Sequence, residues 1–183
     1  MKRSKNIQLT SSKIPKIRNQ ILKIYIGIDN GVSGSIGWIN NLGTQNGFYH
    51  IPTISEQDYT KTKKNRTRIN NKKLRYLLYD IKKNGDCVAL IERPMVNPRR
   101  FQATTSALRA LESTLIAIEW CGISYKFIDS KEWQKIMLPS GIKGAPELKK
   151  ASLDIGKRLF PNFEYKGDAD GILIAEWARM TKQ

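Results

Sequence analysis

Apolar runs of strand length alternate along this chain with stripes at helical spacing. Ile24-Tyr25-Ile26-Gly27-Ile28 reads as a strand buried on both faces, ending at Asp29. Asn30 to Gly34 is a turn, Ser35 to Ile39 a second strand, and Asn40 to Asn46 a loop rich in Asn and Gly. Gly47 to Pro52 is a third strand, ended by its proline. Residues 55–73 are the most basic and polar stretch, with no strand assigned to them, and Leu74, Leu77, Leu78 and Ile81 then recur at helical spacing. Cys87 to Glu92 is a fourth strand, terminated by Arg93-Pro94. After a loop over 95–103, Thr104 or Thr105 caps a long helix with the stripe Leu108, Leu111, Leu115 and Ile118, stopped by Gly122. Ile123 to Ile128 is a fifth strand, and Ser130 caps a short helix containing Trp133. Leu148 to Phe160 and Asp170 to Met180 are the last helices. Three strands joined by short turns form an antiparallel meander, and the later strand–helix alternation adds parallel strands. The expected fold is therefore α/β: a five-stranded mixed sheet flanked by helices, with the first and fourth strands adjacent.

Charge changes the picture from a fold to a partner. Lys and Arg total 32 against 16 Asp and Glu, a net +16 in 183 residues. Such an excess points to a polyanion, most often nucleic acid. The length fits one domain over 23–183, preceded by a basic arm over 1–22 that holds Lys2, Arg3, Lys5, Lys13, Lys16 and Arg18 and no acidic residue. The arm reads as disordered, with a removable organelle transit peptide as the alternative. The expected location is accordingly cytoplasmic, or an organelle if the arm is a transit peptide. No run of about 18 apolar residues predicts a membrane span. Cys87 and Cys121 read as reduced structural thiols, and no Cys/His zinc spacing is present. His50, the only histidine, reads as a strand-end residue, which leaves serine- or cysteine-based hydrolysis without a base.

Against that basic background, four carboxylates fall at element ends: Asp29, Glu92, Asp168 and Asp170. Buried alone they would be costly, and each has an ordinary structural reading as a turn cap, an ion pair or a helix-start residue. Convergent, they would suit a hard divalent cation, Mg²⁺ with Mn²⁺ as a substitute, and two such ions can support phosphodiester hydrolysis. All four are the expected metal-ligating and catalytic residues; no small-molecule cofactor is expected. Arg99, Arg100 and Phe101 could hold phosphates and stack on an unpaired base, and Lys135, Lys143, Lys149 and Lys150 are further candidate phosphate contacts.

At these residues the chain resembles a RuvC-like Holliday junction resolvase of the ribonuclease H-like superfamily. The resemblance spans about residues 24–180. Ile26 to Gly34 resembles the family's opening strand and turn with its first catalytic Asp, and Ala89-Leu90-Ile91-Glu92 the strand bearing the catalytic Glu. Leu159-Phe160-Pro161 resembles the segment before the last acidic cluster, and Asp170 to Ala175 the helix opened by the final ligand. Glu132-Trp133-Gln134-Lys135 is similar to the phage and plastid branches. Actin-like kinases and ATPases share the first motif but need two lobes, more than 183 residues provide. In one place the chain departs from the pattern. The family has an Asp or His three or four residues before the last ligand, where Gly167 and Lys166 stand here, so Asp168 is the nearest substitute. The family also carries a base-probing aromatic, for which Phe101 is preferred over Met95. The resemblance implies a homodimer that cuts opposed strands of a four-way DNA junction in paired symmetric nicks, leaving 5′-phosphates. The alternatives are another ribonuclease H-like nuclease, acting on flaps or RNA–DNA hybrids, and a non-catalytic junction-binding protein of the same fold.

Overall fold

A computed structural model describes residues 22–59 and 61–183, so all but Leu22 of the expected basic arm lies outside the described residues. The main sheet is built from β1 (Lys23–Ile28), β2 (Ser35–Asn40), β3 (Asn46–His50), β6 (Asp86–Glu92) and β7 (Ser124–Ile128), in the order β3-β2-β1-β6-β7. Pairings β1–β2 and β2–β3 are antiparallel, β1–β6 and β6–β7 parallel. This is the expected mixed sheet. Among the described residues five α-helices accompany it: α1 (Asn71–Lys82), α2 (Phe101–Trp120), α3 (Ser130–Met137), α4 (Ala145–Leu159) and α5 (Asp170–Thr181).

Strand alternation divides the core into two layers. Ile24, Ile26 and Ile28 of β1, with Cys87, Ala89 and Ile91 of β6, pack against Leu74, Leu78 and Ile118 of α1 and α2. Tyr25 and Leu90 face the other way, onto Trp133 of α3 and Ile172, Leu173 and Ile174 of α5. The same parity sends Asp29 and Glu92, one step past the paired residues Ile28 and Ile91, toward the α3–α5 layer.

Glycines allow α5 to lie directly on the sheet. A Cβ on Gly27 would fall 2.2 Å from the Gly171 carbonyl oxygen, and one on Gly37 2.2 Å from the Ile172 Cα. The Ser35 hydroxyl accepts the Gly171 N–H at 3.0 Å, fixing the first turn of α5 beside the end of β1.

Several expectations need correction. The polar stretch after β3 is a separate hairpin, β4 (Thr53–Gln57) and β5 (Asn65–Ile69), held by Arg68 to Glu56 and Arg66 to Asp58. The expected loop over 95–103 instead holds a short 3-10 turn, Pro98–Arg100, and α2 begins at Phe101. Thr104 does not cap α2: its hydroxyl donates to the Asn97 carbonyl at 2.9 Å and accepts the Asn97 N–H at 3.0 Å. The fully buried positions of α2 are Ala110, Thr114, Ala117 and Ile118, while Leu108 is exposed and Leu111 and Leu115 pack at the margin. Ala110, Thr114 and Ala117 keep three of these four positions small where α2 packs against α1. The cap of α3 is Asp129 rather than Ser130, with Glu132 accepting the Asp129 N–H at 2.8 Å. Both cysteines are free and buried, His50 ends β3, and no described helix is long and apolar enough to cross a membrane.

Candidate metal centre and nucleic-acid interface

Each acidic side chain is delivered by a different local device. Asp29 leaves β1 into a tight turn, its N–H donating to the Ser35 carbonyl at 3.0 Å. Gly34 presses on that turn so closely that a Cβ would sit 2.1 Å from the Asp29 carbonyl oxygen. Gly167, at φ +86° in open space, makes the left-handed bend that brings Asp168 inward. Asp168 Oδ1 then accepts the Asp170 N–H at 3.0 Å, satisfying a helix-start donor.

Asp29, Asp168 and Asp170 each offer a carboxylate oxygen within 4.8 Å of the others. Glu92 lies beside this triad but is turned to α3, where the Trp133 indole donates its Nε1–H to Glu92 Oε2 at 2.7 Å. The Ser152 hydroxyl, on α4, donates to Asp170 Oδ1. Asp168 is buried, and its Oδ2 has no hydrogen-bond partner.

Electrostatics records the crowding. Burial, followed by the neighbouring charges of Asp168, Asp170 and Glu92, holds the Asp29 carboxyl well above the usual carboxylate range. Burial also pushes Glu92 up to about 7, against the Trp133 hydrogen bond, with Asp170 and Asp168 adding to the rise. Asp170 is pushed up to about 6 by burial and Asp168, while the Ser152 hydrogen bond and Lys149 act in the opposite sense. Like charges this close cannot all ionise cheaply without a cation. A divalent ion would relieve the repulsion and give the orphaned Asp168 oxygen a partner, so the donor set fits a hard metal with oxygen ligands.

The predicted phosphate contacts separate. Lys149 acts on both Asp29 and Asp170. Arg100 lines a hollow of about 280 Å³ with Asp29, Glu92, Arg93 and Met95. Arg99 is exposed on the 3-10 turn, and Phe101 faces a different cleft, described below. Lys135 and Lys143 are exposed on α3 and before α4, and Lys150 lines a shallow hollow with Glu147 and Asp154 that none of the four carboxylates reaches.

Sequence reasoning did not assign Ser152 or the Trp133 hydrogen bond. Only the second left a signal: a buried indole N–H seeks a partner.

No protein-family model matches the sequence, and no curated protein does. Solved structures do. The structure "T. thermophilus RuvC in complex with Holliday junction substrate" matches with a TM-score of 0.55 at 11% identity, over 87% of this chain and 95% of that one. "Thermus thermophilus RuvC structure" matches with a TM-score of 0.48 at 13% identity, over 87% and 96%. The fold is RuvC-like. On this ribonuclease H-like frame, the carboxylates stand at the ends of the adjacent central strands β1 and β6 and at the start of α5.

Proposed function

We propose that this chain is a metal-dependent endonuclease of the Holliday junction resolvase type, acting on branched DNA as a homodimer with paired symmetric nicks. One observation carries the reading: the triad Asp29, Asp168 and Asp170, within 4.8 Å, sits on a fold shared with a RuvC solved on a junction. The sequence motifs around Asp29, Glu92 and Asp170 support it, as does the net charge of +16.

Asp29, Asp168 and Asp170 would hold Mg²⁺ or Mn²⁺, with Glu92 completing the acidic set. A divalent ion bound there would make a coordinated water more acidic and offset charge on the phosphate. The protein's own contribution is orientation. Trp133 keeps the Glu92 carboxylate toward α3, and Ser152 fixes one oxygen of Asp170. The Asp170 N–H holds one Asp168 oxygen and leaves the other available. Lys149 and Arg100 bring positive charge to the rim, where a phosphate backbone arrives.

The test is an end-labelled four-way junction incubated with Mg²⁺ beside linear duplex, flap and RNA–DNA hybrid. Preferential cutting of the junction supports the reading. Preferential cutting of flap or hybrid assigns a different ribonuclease H-like nuclease, and binding without cutting in Mg²⁺ or Mn²⁺ assigns a binding protein.

A further inference from the structure

The β4–β5 hairpin adds almost nothing to the core: among its strand residues only Ile69 is buried. A two-stranded hairpin of this kind is marginal by itself. Here cross-strand ion pairs set its shape, Arg68 gripping Glu56 through two hydrogen bonds of 2.7 and 2.8 Å and Arg66 holding Asp58 at 3.1 Å. The hairpin stands across from the first turns of α2 and encloses with them a cleft of about 690 Å³.

That cleft adjoins the carboxylates through α2. Ala103, Thr104 and Ala107 face the hollow containing Asp29 and Glu92, whereas Thr105 and Arg109, on the opposite side of the helix, line the cleft. Val32, in the turn after Asp29, lines it too. A strand held at the carboxylates needs only to cross the start of α2 to enter it.

The cleft wall is suited to bases more than to a duplex backbone. Its hairpin arginines are already paired with Glu56 and Asp58, so they offer little net charge. Tyr59 on the hairpin and Phe101 on α2 are 90% and 75% exposed and both line the cleft. Arg109 and Glu112 line the cleft and make no ion pair among the described residues, and Lys61, Lys63 and Lys64 follow Tyr59 at the hairpin tip, outside the lining. Exposed aromatics with isolated cations are the pattern that binds unpaired nucleotides by stacking.

The geometry points to this cleft as a second nucleic-acid site, which seats unpaired nucleotides of the strand leaving the carboxylates, with Tyr59 as stacking platform and Arg109 as phosphate contact. The assignment deepens the nuclease reading and takes its ligand class from it.

The test is fluorescence anisotropy of the full chain with a labelled single-stranded oligothymidylate and with a duplex of the same length, in chelator. Tyr59 is too exposed for its replacement to disturb folding. Tyr59→Ala and Arg109→Gln are each expected to weaken single-strand binding on the order of tenfold while duplex binding holds. Tyr59→Trp should retain it. Unchanged single-strand affinity in both Tyr59→Ala and Arg109→Gln, or an equal loss on duplex, overturns the assignment. Neither readout depends on cleavage. Junction cutting with no cleft effect would leave the nuclease reading standing alone. A cleft effect in a protein that cuts nothing would support the second site and remove the nuclease reading.

Discussion

Trp133 and Glu92 come from different elements, yet the indole Nε1–H of one meets Oε2 of the other at 2.7 Å inside the α3–sheet layer. That hydrogen bond favours the ionised carboxylate, opposing the burial that raises Glu92 to about 7. Trp133→Phe keeps most of the packing and removes the donor. Metal affinity or cleavage should fall about 10–100-fold, as for partners that orient metal ligands elsewhere. The acidic limb of the pH–rate profile should also move to higher pH, because Glu92 then ionises later. An unshifted profile in a folded variant would mean that Glu92 ionisation is not used.

The crowded carboxylates should weaken the metal-free protein. Asp170 and Glu92 have folded values of about 6 and about 7, above their ordinary values of 3.8 and 4.5. The folded state therefore binds these protons more tightly than the unfolded chain. Their contribution is fully present below the unfolded values and is lost as pH rises, through a window from about 4 to about 7. Asp170→Asn should raise the melting temperature in chelator at neutral pH, by about 2–4 °C per kcal/mol of repulsion removed. The difference from wild type should shrink toward the acidic end of the window, and Mg²⁺ should stabilise wild type more than the variant. Differential scanning fluorimetry across pH, with and without metal, measures all of this.

Gly27 has no room for a methyl group: its Cβ would meet the Gly171 oxygen at 2.2 Å and the Ala175 nitrogen at 2.4 Å, both backbone. Gly27→Ala must push α5 off the sheet. Overpacking of this kind costs about 1–3 kcal/mol, and the same shift separates Asp170 from Asp29. Urea denaturation should show the loss of stability, and metal titration of the folded fraction should show weaker binding.

Lys149 is the cation that acts on both Asp29 and Asp170. If it also contacts a phosphate, Lys149→Gln should weaken duplex-arm binding evenly across sequences and reduce the slope of log K against log salt by about 0.9. A salt titration of junction binding in chelator reads this directly, and an unchanged slope removes Lys149 from the interface.

The central fold was legible because its residues obey simple periods. The β1 and β6 runs are apolar throughout and end in acids, and the two-residue alternation decides which layer Asp29 and Glu92 face. The hairpin was hidden because every strand residue but Ile69 is exposed, which leaves no apolar period to read. The start of α2 was misread although Asn97-Pro98 is a helix-start signal: the Asn97 side chain accepts the Arg99 N–H at 3.0 Å. Within the site, Asp168 and Asp170 could be paired by spacing alone. Ser152 could not, because its partner lies in the next helix, and only the packing of α4 on α5 brings them together.

The most direct measurement maps the cuts on each strand of a synthetic four-way junction, with Mg²⁺, for wild type and Asp29→Asn. Nicks are expected at symmetry-related positions on two opposed strands, carrying 5′-phosphates, and should be lost in Asp29→Asn with junction binding retained. Cuts scattered without symmetry, or full cleavage by Asp29→Asn, would contradict the resolvase reading.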